Sequence, residues 1–305
     1  MQTIPNIAHC FWYAPDGLPY LRYLSIASFA ILNPEIRLKV YTLKENINTG
    51  GAFSSHEQSI VHITKDYFLE LAGLHNVDII VLDRDYLDEL KFDIDTAVHY
   101  SDILRIKLLA TEGGYWIDSD IIFTRSLANS YLGYQELSNI NTIISHTSLG
   151  SVCAYLSHRI GFLAASKSNS FFIRLWNDLL LENDSTRDYQ AYGAALYNKI
   201  YSTKSVINEL NPILNIHNLP NSAFYSLQLT ELLSDRIPLE LFIESPFVVG
   251  CHWYGGGDHL HGLISKFNQA LNIEGLIEAL EMKEPSILVK LFALASKISK
   301  TIKFC

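Results

Sequence analysis

The feature that most constrains this chain is an alternation over its first half, where short apolar or period-two runs take turns with longer stretches of helical period. "IPNIAHCFWY" reads as a strand, and "DGLPYLRYLSIASFAILNP" as a helix with Pro19 in its first turn and Asn33-Pro34 as its stop. "RLKVYTL" alternates like a second strand, while "NVDIIVLD" is a short apolar run suited to a buried third. "TAVHYSDILRIKLLATEGG" sets Ile103, Ile106, Leu108 and Leu109 at helical spacing and ends on a glycine pair, where a helix should stop. "YWI" then enters a fourth strand whose carboxyl end carries Asp118 and Asp120. Strands alternating with helices predict an α/β fold, and open sheets of that class bind ligands at the carboxyl ends of their strands.

With 305 residues, 49% hydrophobic and 18% charged, the chain can bury a full core in one or two domains. A formal net charge of -9 leaves no positive surplus for a nucleic-acid backbone, so no nucleic-acid partner is expected. "MQTIPNIAHCFWY" lacks the basic flank, apolar stretch and cleavage site of a secretory signal, and runs such as "YLSIASFAIL" are too short to span a bilayer. A cytoplasmic location is expected. Cys10, Cys153, Cys251 and Cys305 are scattered without metal-ligand spacing and fit reduced thiols.

Asp-x-Asp occurs three times, as Asp83/Asp85, Asp93/Asp95 and Asp118/Asp120. The first two lie in "VLDRDYLDELKFDID", whose interleaved charges read as a solvated segment. No charge separates Glu112 from Asp118, so the third pair is expected where the core meets a cleft. Two carboxylates crowded there repel each other unless a positive group sits between them. Hard divalent cations take oxygen ligands, and Mg²⁺ typically uses one or two carboxylates plus substrate phosphates. The other reading is a surface turn with hydrated acids. Upstream, Asp102 and Arg105 are three apart on one helix face, which an intrahelical ion pair would also explain.

Taken whole, "SDILRIKLLATEGGYWIDSD" resembles the sugar-binding region of the DXD glycosyltransferases. That group includes mannosyl- and galactosyl-transferring enzymes of yeast and capsule synthesis and the large clostridial glucosylating toxins. The opening "IPNIAHCFWYAPDGLPYLRYLSIASFAILNPEIRLKVYTL" is similar to the family's Ile-Pro-x-x-Ile-His-x-x-Trp start, with His9 at the histidine position. The resemblance implies a GT-A-like, Rossmann-type mixed sheet flanked by helices. It also implies that Asp102 holds sugar or ribose hydroxyls, Arg105 contacts the nucleotide sugar, Asp118 meets the ribose and sugar region and shares the metal, and Asp120 binds the metal. Trp12 would stack on the base. Trp116 stands where the family has Tyr, which keeps a flat ring and loses the phenol oxygen. "TRDYQAYGAAL" lies where relatives have Thr-Gly-Pro; Gly193 matches, and Asp188 and Gln190 are polar residues for the reacting sugar, although a helix cap explains Asp188 equally.

"PFVVGCHWYGGGDHLHG" delivers His252 and Trp253 to a glycine-rich turn, in which Gly255 and Gly256 would let backbone approach a phosphate. Its His-aromatic-x-Gly order is similar to that of related retaining enzymes, whose histidine completes the metal site. His252 would then be the third protein ligand, with Mn²⁺ preferred over Mg²⁺ because imidazole suits it. His259 and His261 widen the choice, and a zinc site of three histidines would leave the Asp pair without a partner.

"EPSILVKLFALASKISKTIKFC" reads as an amphipathic helix with Ile287, Leu288, Leu291, Leu294 and Ile298 on one side and Lys290, Lys297, Lys300 and Lys303 along its edge. It either packs on the domain or lies on the inner face of an anionic membrane. The division expected is a GT-A-like domain over residues 1–265 and a helical C-terminal extension over residues 266–305. The implied activity is a metal-dependent, retaining transfer of a hexosyl unit from a nucleotide sugar, UDP-linked by preference, to a capsular or other cell-surface glycan or a lipid-linked acceptor. Three readings stay open beside it: toxin-like glycosylation of a protein side chain, metal-dependent nucleotide-sugar phosphohydrolysis, and nucleotide-sugar binding without catalysis.

Overall fold

The expected elements form where the patterns put them. The computed structural model describes residues 4–44, 65–91, 94, 96–130, 142–148, 156–182, 191–193, 195–197, 216–255, 260, 275 and 284–301. Its first half runs β1 (Ile7–Phe11), α1 (Tyr20–Leu32), β2 (Arg37–Leu43), β3 (Val77–Leu82), α2 (Ala97–Thr111), β4 (Gly114–Ile117) and β5 (Ile121–Phe123). There follow β6 (Thr142–Ser148), β7 (Leu156–Ala165), α3 (Ser170–Leu181), β8 (Ile216–Leu219), β9 (Gly250–His252) and α4 (Ile287–Thr301), with shorter helical turns between. Pro19 caps α1 rather than entering its first turn, because its φ of -73° pairs with an extended ψ of 157°. Its carbonyl still accepts the first helical bond, from the Tyr23 amide at 2.9 Å.

Seven strands form one sheet in the order β3-β2-β1-β4-β7-β6-β8, and β5 pairs with β9 in a separate ribbon. β3, β2, β1 and β4 are parallel, whereas β7 runs antiparallel to β4 and to β6. The sheet is therefore mixed. β2 and β3 add to one side of β1 and β4 to the other, so the strand order reverses between β1 and β4, and a ligand crevice opens at their carboxyl ends.

Two details hold β1 against β4. Gly114 has φ 91°, and an added Cβ would collide with the Ile7 carbonyl oxygen, so only glycine fits. His9 donates from Nε2 to the Gly113 carbonyl at 2.9 Å, and its Nδ1 accepts from the Tyr41 hydroxyl at 3.0 Å. Burial drives its pKa down to about 4, so the ring is neutral and spends both nitrogens on tying β1, β2 and the start of β4 together.

Helices cover both faces. α2 and α3 pack on one, through Ile103, Leu104, Phe172 and Leu175; α1 and α4 pack on the other, through Leu21, Leu24, Leu291 and Phe292. α1 is buried nearly throughout, and its polar residues are bonded. Ser28 Oγ accepts from the Phe123 amide at 2.9 Å, and Asn33 Oδ1 from the Leu127 amide at 2.7 Å. α4 buries Ile287, Leu288, Leu291, Phe292 and Ala295, and it exposes Lys297 and Lys300. Of the two readings for this segment, packing on the domain is the one seen, and the apolar face is already occupied. Residue 265 lies outside the described residues. No described helix is long and apolar enough to cross a membrane.

Candidate functional site

β4 ends at Ile117, yet its ladder continues, because the Asp118 amide donates to the Gly161 carbonyl of β7 at 2.7 Å. After one turn the chain re-enters as β5, and the antiparallel ribbon sets His252 opposite Ile121. The Trp253 amide bonds the Asp120 carbonyl at 2.9 Å and closes the register. The consequence is a cluster. One side-chain ligand atom from each of Asp118, Asp120 and His252 lies within 4.8 Å of the others, at the crevice where the strand order reverses.

Asp120 is the anchored member. One oxygen faces His252 Nε2 at 3.2 Å, and the other accepts from the Gly255 amide at 3.0 Å and lies 3.7 Å from Arg22 Nη1. Burial alone would raise its pKa, but His252, Arg22 and the Gly255 amide outweigh that and hold it below the usual carboxylate range. Tyr254 sits at φ 53°, a left-handed conformation that folds the turn back onto the cluster. Its amide donates to His252 Nδ1 at 3.2 Å, which leaves the ring proton on Nε2, facing Asp120.

Arg22, contributed by α1, is held between two indoles, 4.7 Å from the centroid of Trp12 and 4.7 Å from that of Trp253. Its Nη1 donates to Ser119 Oγ at 3.1 Å. Trp253 donates to Ser25 Oγ at 2.9 Å, so α1 grips the cluster at two points one turn apart.

Asp118 is arranged differently. Its Oδ1 accepts from Trp116 Nε1 at 2.7 Å and from Arg105 Nη2 at 3.0 Å, which leaves Oδ2 toward the crevice. Trp116 is fully buried under the Arg105 guanidinium, 4.8 Å from the ring centroid. The substitution of indole for phenol therefore keeps a donor: the Trp116 N–H serves Asp118. Arg105 also meets Asp102 at 3.1 Å, so the helical pair is real and extends to the Asp pair. Asp102 is buried, and burial pushes its pKa up to about 7 against the pull of Arg105. Its Oδ2 lies 2.6 Å from where a Cβ on Gly193 would be, so the sequence match at Gly193 corresponds to a close approach.

The remaining expectations sort clearly. Asp83 and Asp85 are exposed just past the carboxyl end of the edge strand β3, as a solvated segment should be. Trp12 is buried, with its N–H bonded to the Gly17 carbonyl at 3.0 Å and its ring against Arg22. The Gly255 amide is spent on Asp120, and a side chain there would strike Arg22. Asp93, Asp95, Asp188, Gln190, Gly256, His259 and His261 lie outside the described residues. The sequence reading missed Arg22 and Tyr225. A lone cation inside "PYLRYLSIASF" was the available signal for the first. Tyr225, whose hydroxyl accepts from the Gly161 amide at 3.0 Å and whose ring lies 5.0 Å from His252, had none.

These features define an α/β protein with a carboxylate–imidazole cluster and buried arginines at the carboxyl end of its central parallel strands. The chain belongs to the family described as capsular polysaccharide synthesis protein, whose model matches residues 43–220, more than half of it. No curated protein matches it. Among solved structures it is similar to the PaToxG glycosyltransferase, at 17% identity and TM-score 0.46, over 70% of this chain and 74% of that one. It is similar to the galactosyltransferase LgtC in complex with donor and acceptor sugar analogs, at 11% identity and TM-score 0.38, over 86% and 95%. The ligand-free glycosyltransferase domain of the YGT toxin matches at 11% identity and TM-score 0.40, over all of both chains. No residue role passes from these structures to this chain.

Proposed function

We propose that this protein is a metal-dependent glycosyltransferase that moves a hexosyl unit from a nucleotide sugar, UDP-linked by preference, to a glycan acceptor of the capsular or cell-surface kind, with retention of configuration. The observation that carries the reading is the convergence of Asp118, Asp120 and His252 at the crevice. Family membership supports the polysaccharide side of it.

The residues present fit a divalent cation. Two carboxylates and an imidazole are a mixed oxygen and nitrogen set that suits Mn²⁺ and, less well, Mg²⁺. Asp118 brings an oxygen that receives no bond among the described residues, and Asp120 is kept ionised by its neighbours. For His252 to ligate through Nε2, its proton moves to Nδ1 and the Tyr254 amide contact gives way. A bound cation would neutralise charge on the diphosphate leaving group. Arg105, stacked on Trp116 and tied to Asp102 and Asp118, keeps a fixed positive charge beside that place, where preorganised charge is most effective. Asp102 offers carboxyl oxygens to sugar hydroxyls from the same helix.

The test is release of free nucleoside diphosphate from UDP-, GDP- and ADP-sugars, with Mn²⁺, Mg²⁺ or EDTA and water as acceptor. Slow turnover of one donor that EDTA abolishes is the expected result. Release of phosphate from nucleotides that carry no sugar would replace the proposal with a phosphohydrolase.

A further inference from the structure

Most charged groups around the cluster are already committed. Arg22 is sandwiched between indoles and bonded to Ser119, and Arg105 is divided between Asp102 and Asp118. Arg159 differs. It is half-buried on β7 and meets no carboxylate among the described residues; its Nε, like that of Arg105, is buried without a partner.

The register shows where it lies. Gly161 continues the β4–β7 ladder at Asp118, and a Cβ on Gly161 would fall 2.5 Å from the Tyr225 hydroxyl, 3.0 Å from Asp118 Oδ2 and 3.2 Å from His252 Cδ2. That face of β7 therefore looks onto the cluster. Arg159 is two residues away, in a stretch where the β6–β7 register shifts, and it is the contact of its guanidinium with Tyr225 that places it on this side. Because β7 runs antiparallel to β4, residue 159 lies farther out past the carboxyl end of β4, on the ligand side of the sheet. Its guanidinium rests 5.4 Å from the ring centroid of Tyr225, whose hydroxyl accepts from the Gly161 amide and whose ring lies beside His252. A half-buried guanidinium with an orphaned N–H, laid on an aromatic platform at the rim of a crevice, is a preorganised anion receptor.

We propose that Arg159 is a substrate-binding residue that takes an oxyanion of the donor, either a phosphate of its diphosphate or a carboxylate on its sugar. This rests on the glycosyltransferase reading and adds to it a specific anion contact on β7, separate from the metal ligands.

The experiment is calorimetric binding, in Mn²⁺, of UDP and GDP and of matched neutral and uronic donors: UDP-glucose with UDP-glucuronate, and GDP-mannose with GDP-mannuronate. Wild type is compared with Arg159→Gln and Arg159→Lys. A phosphate contact predicts that Arg159→Gln weakens diphosphate and both donors alike by about tenfold or more, the scale of one charge-assisted hydrogen bond, with partial recovery in Arg159→Lys. A carboxylate contact predicts the same loss for the uronic donor alone. Mn²⁺ affinity measured without nucleotide stays unchanged in both variants, which separates this role from damage to the cluster. Unaltered binding of every ligand that wild type holds overturns the Arg159 assignment and leaves the glycosyltransferase reading standing. Absence of any nucleotide binding by wild type overturns both.

Discussion

Single residues around Asp120 carry the sharpest expectations. Asp120→Ala should lower metal-dependent turnover by about a hundredfold or more with the fold retained, whereas Asp85→Ala should leave it unchanged; parallel assays and circular dichroism check both. Equal losses would mean that the wrong Asp pair has been chosen. His252→Ala should raise the Mn²⁺ concentration needed for half-maximal activity. Arg22 is expected to act through its neighbour: Arg22→Met should weaken Mn²⁺ binding by about 10- to 100-fold, with Arg22→Lys intermediate, because the charge that orients Asp120 would be lost or displaced. His9 makes a prediction about pH. Its folded pKa, near 4, is below the unfolded value, so the unfolded chain binds the extra proton between the two, and stability is lost as pH falls from about 6.5 toward 4. Chemical denaturation across that range should show the slope, and His9→Gln should flatten it.

At the level of elements, the junction of α2, β4 and β1 is the rigid part of the site. The helix ends because the Glu112 and Gly113 amides both bond the Leu108 carbonyl, at 2.8 Å and 3.1 Å, and Gly113 then turns at φ 71°. Gly114 follows at φ 91° with no room for a side chain against Ile7. Gly114→Ala should therefore cost about 2 kcal/mol or more, from strain and displacement of β1, readable as a lowered denaturation midpoint. This junction sets the distance from Asp102 and Arg105 on the helix to Asp118 beyond the strand. An error of one residue in either element would turn Trp116 away from Arg105 and separate the pairs.

Across the whole molecule, the C-terminal helix supports the site from behind. Phe292 meets Trp253 edge to face at 5.3 Å, and Trp253 backs Arg22, which faces Asp120. Phe292→Ala should destabilise the protein by about 3–5 kcal/mol and also weaken Mn²⁺ binding, although the residue lies far from the cluster in sequence. Lys297→Glu, on the exposed edge, should change neither. A thermal melt with and without Mn²⁺ distinguishes these outcomes, since a purely structural loss leaves the metal-induced shift intact.

The α/β class, the succession of β1 through β4 along the chain and the placing of Asp118 and Asp120 just past β4 were legible in the sequence, because each is a local matter. Side-chain period, a glycine pair after a helical run and the absence of charge before the acids are properties of contiguous residues, and the backbone responds to them directly. The pairing of Asp102 with Arg105 was visible for the same reason. Tertiary structure alone decided that Arg105 also reaches Asp118, that His252 lies opposite Ile121, and that Arg22, Tyr225 and Arg159 surround the cluster. These contacts join residues separated by long stretches of chain, and they follow from how the sheet orders its strands and how α1 packs beneath them. The fate of the amphipathic C-terminal helix was undecided for a related reason: an apolar stripe records that a face must be covered, and only the folded neighbour, here α1, determines what covers it.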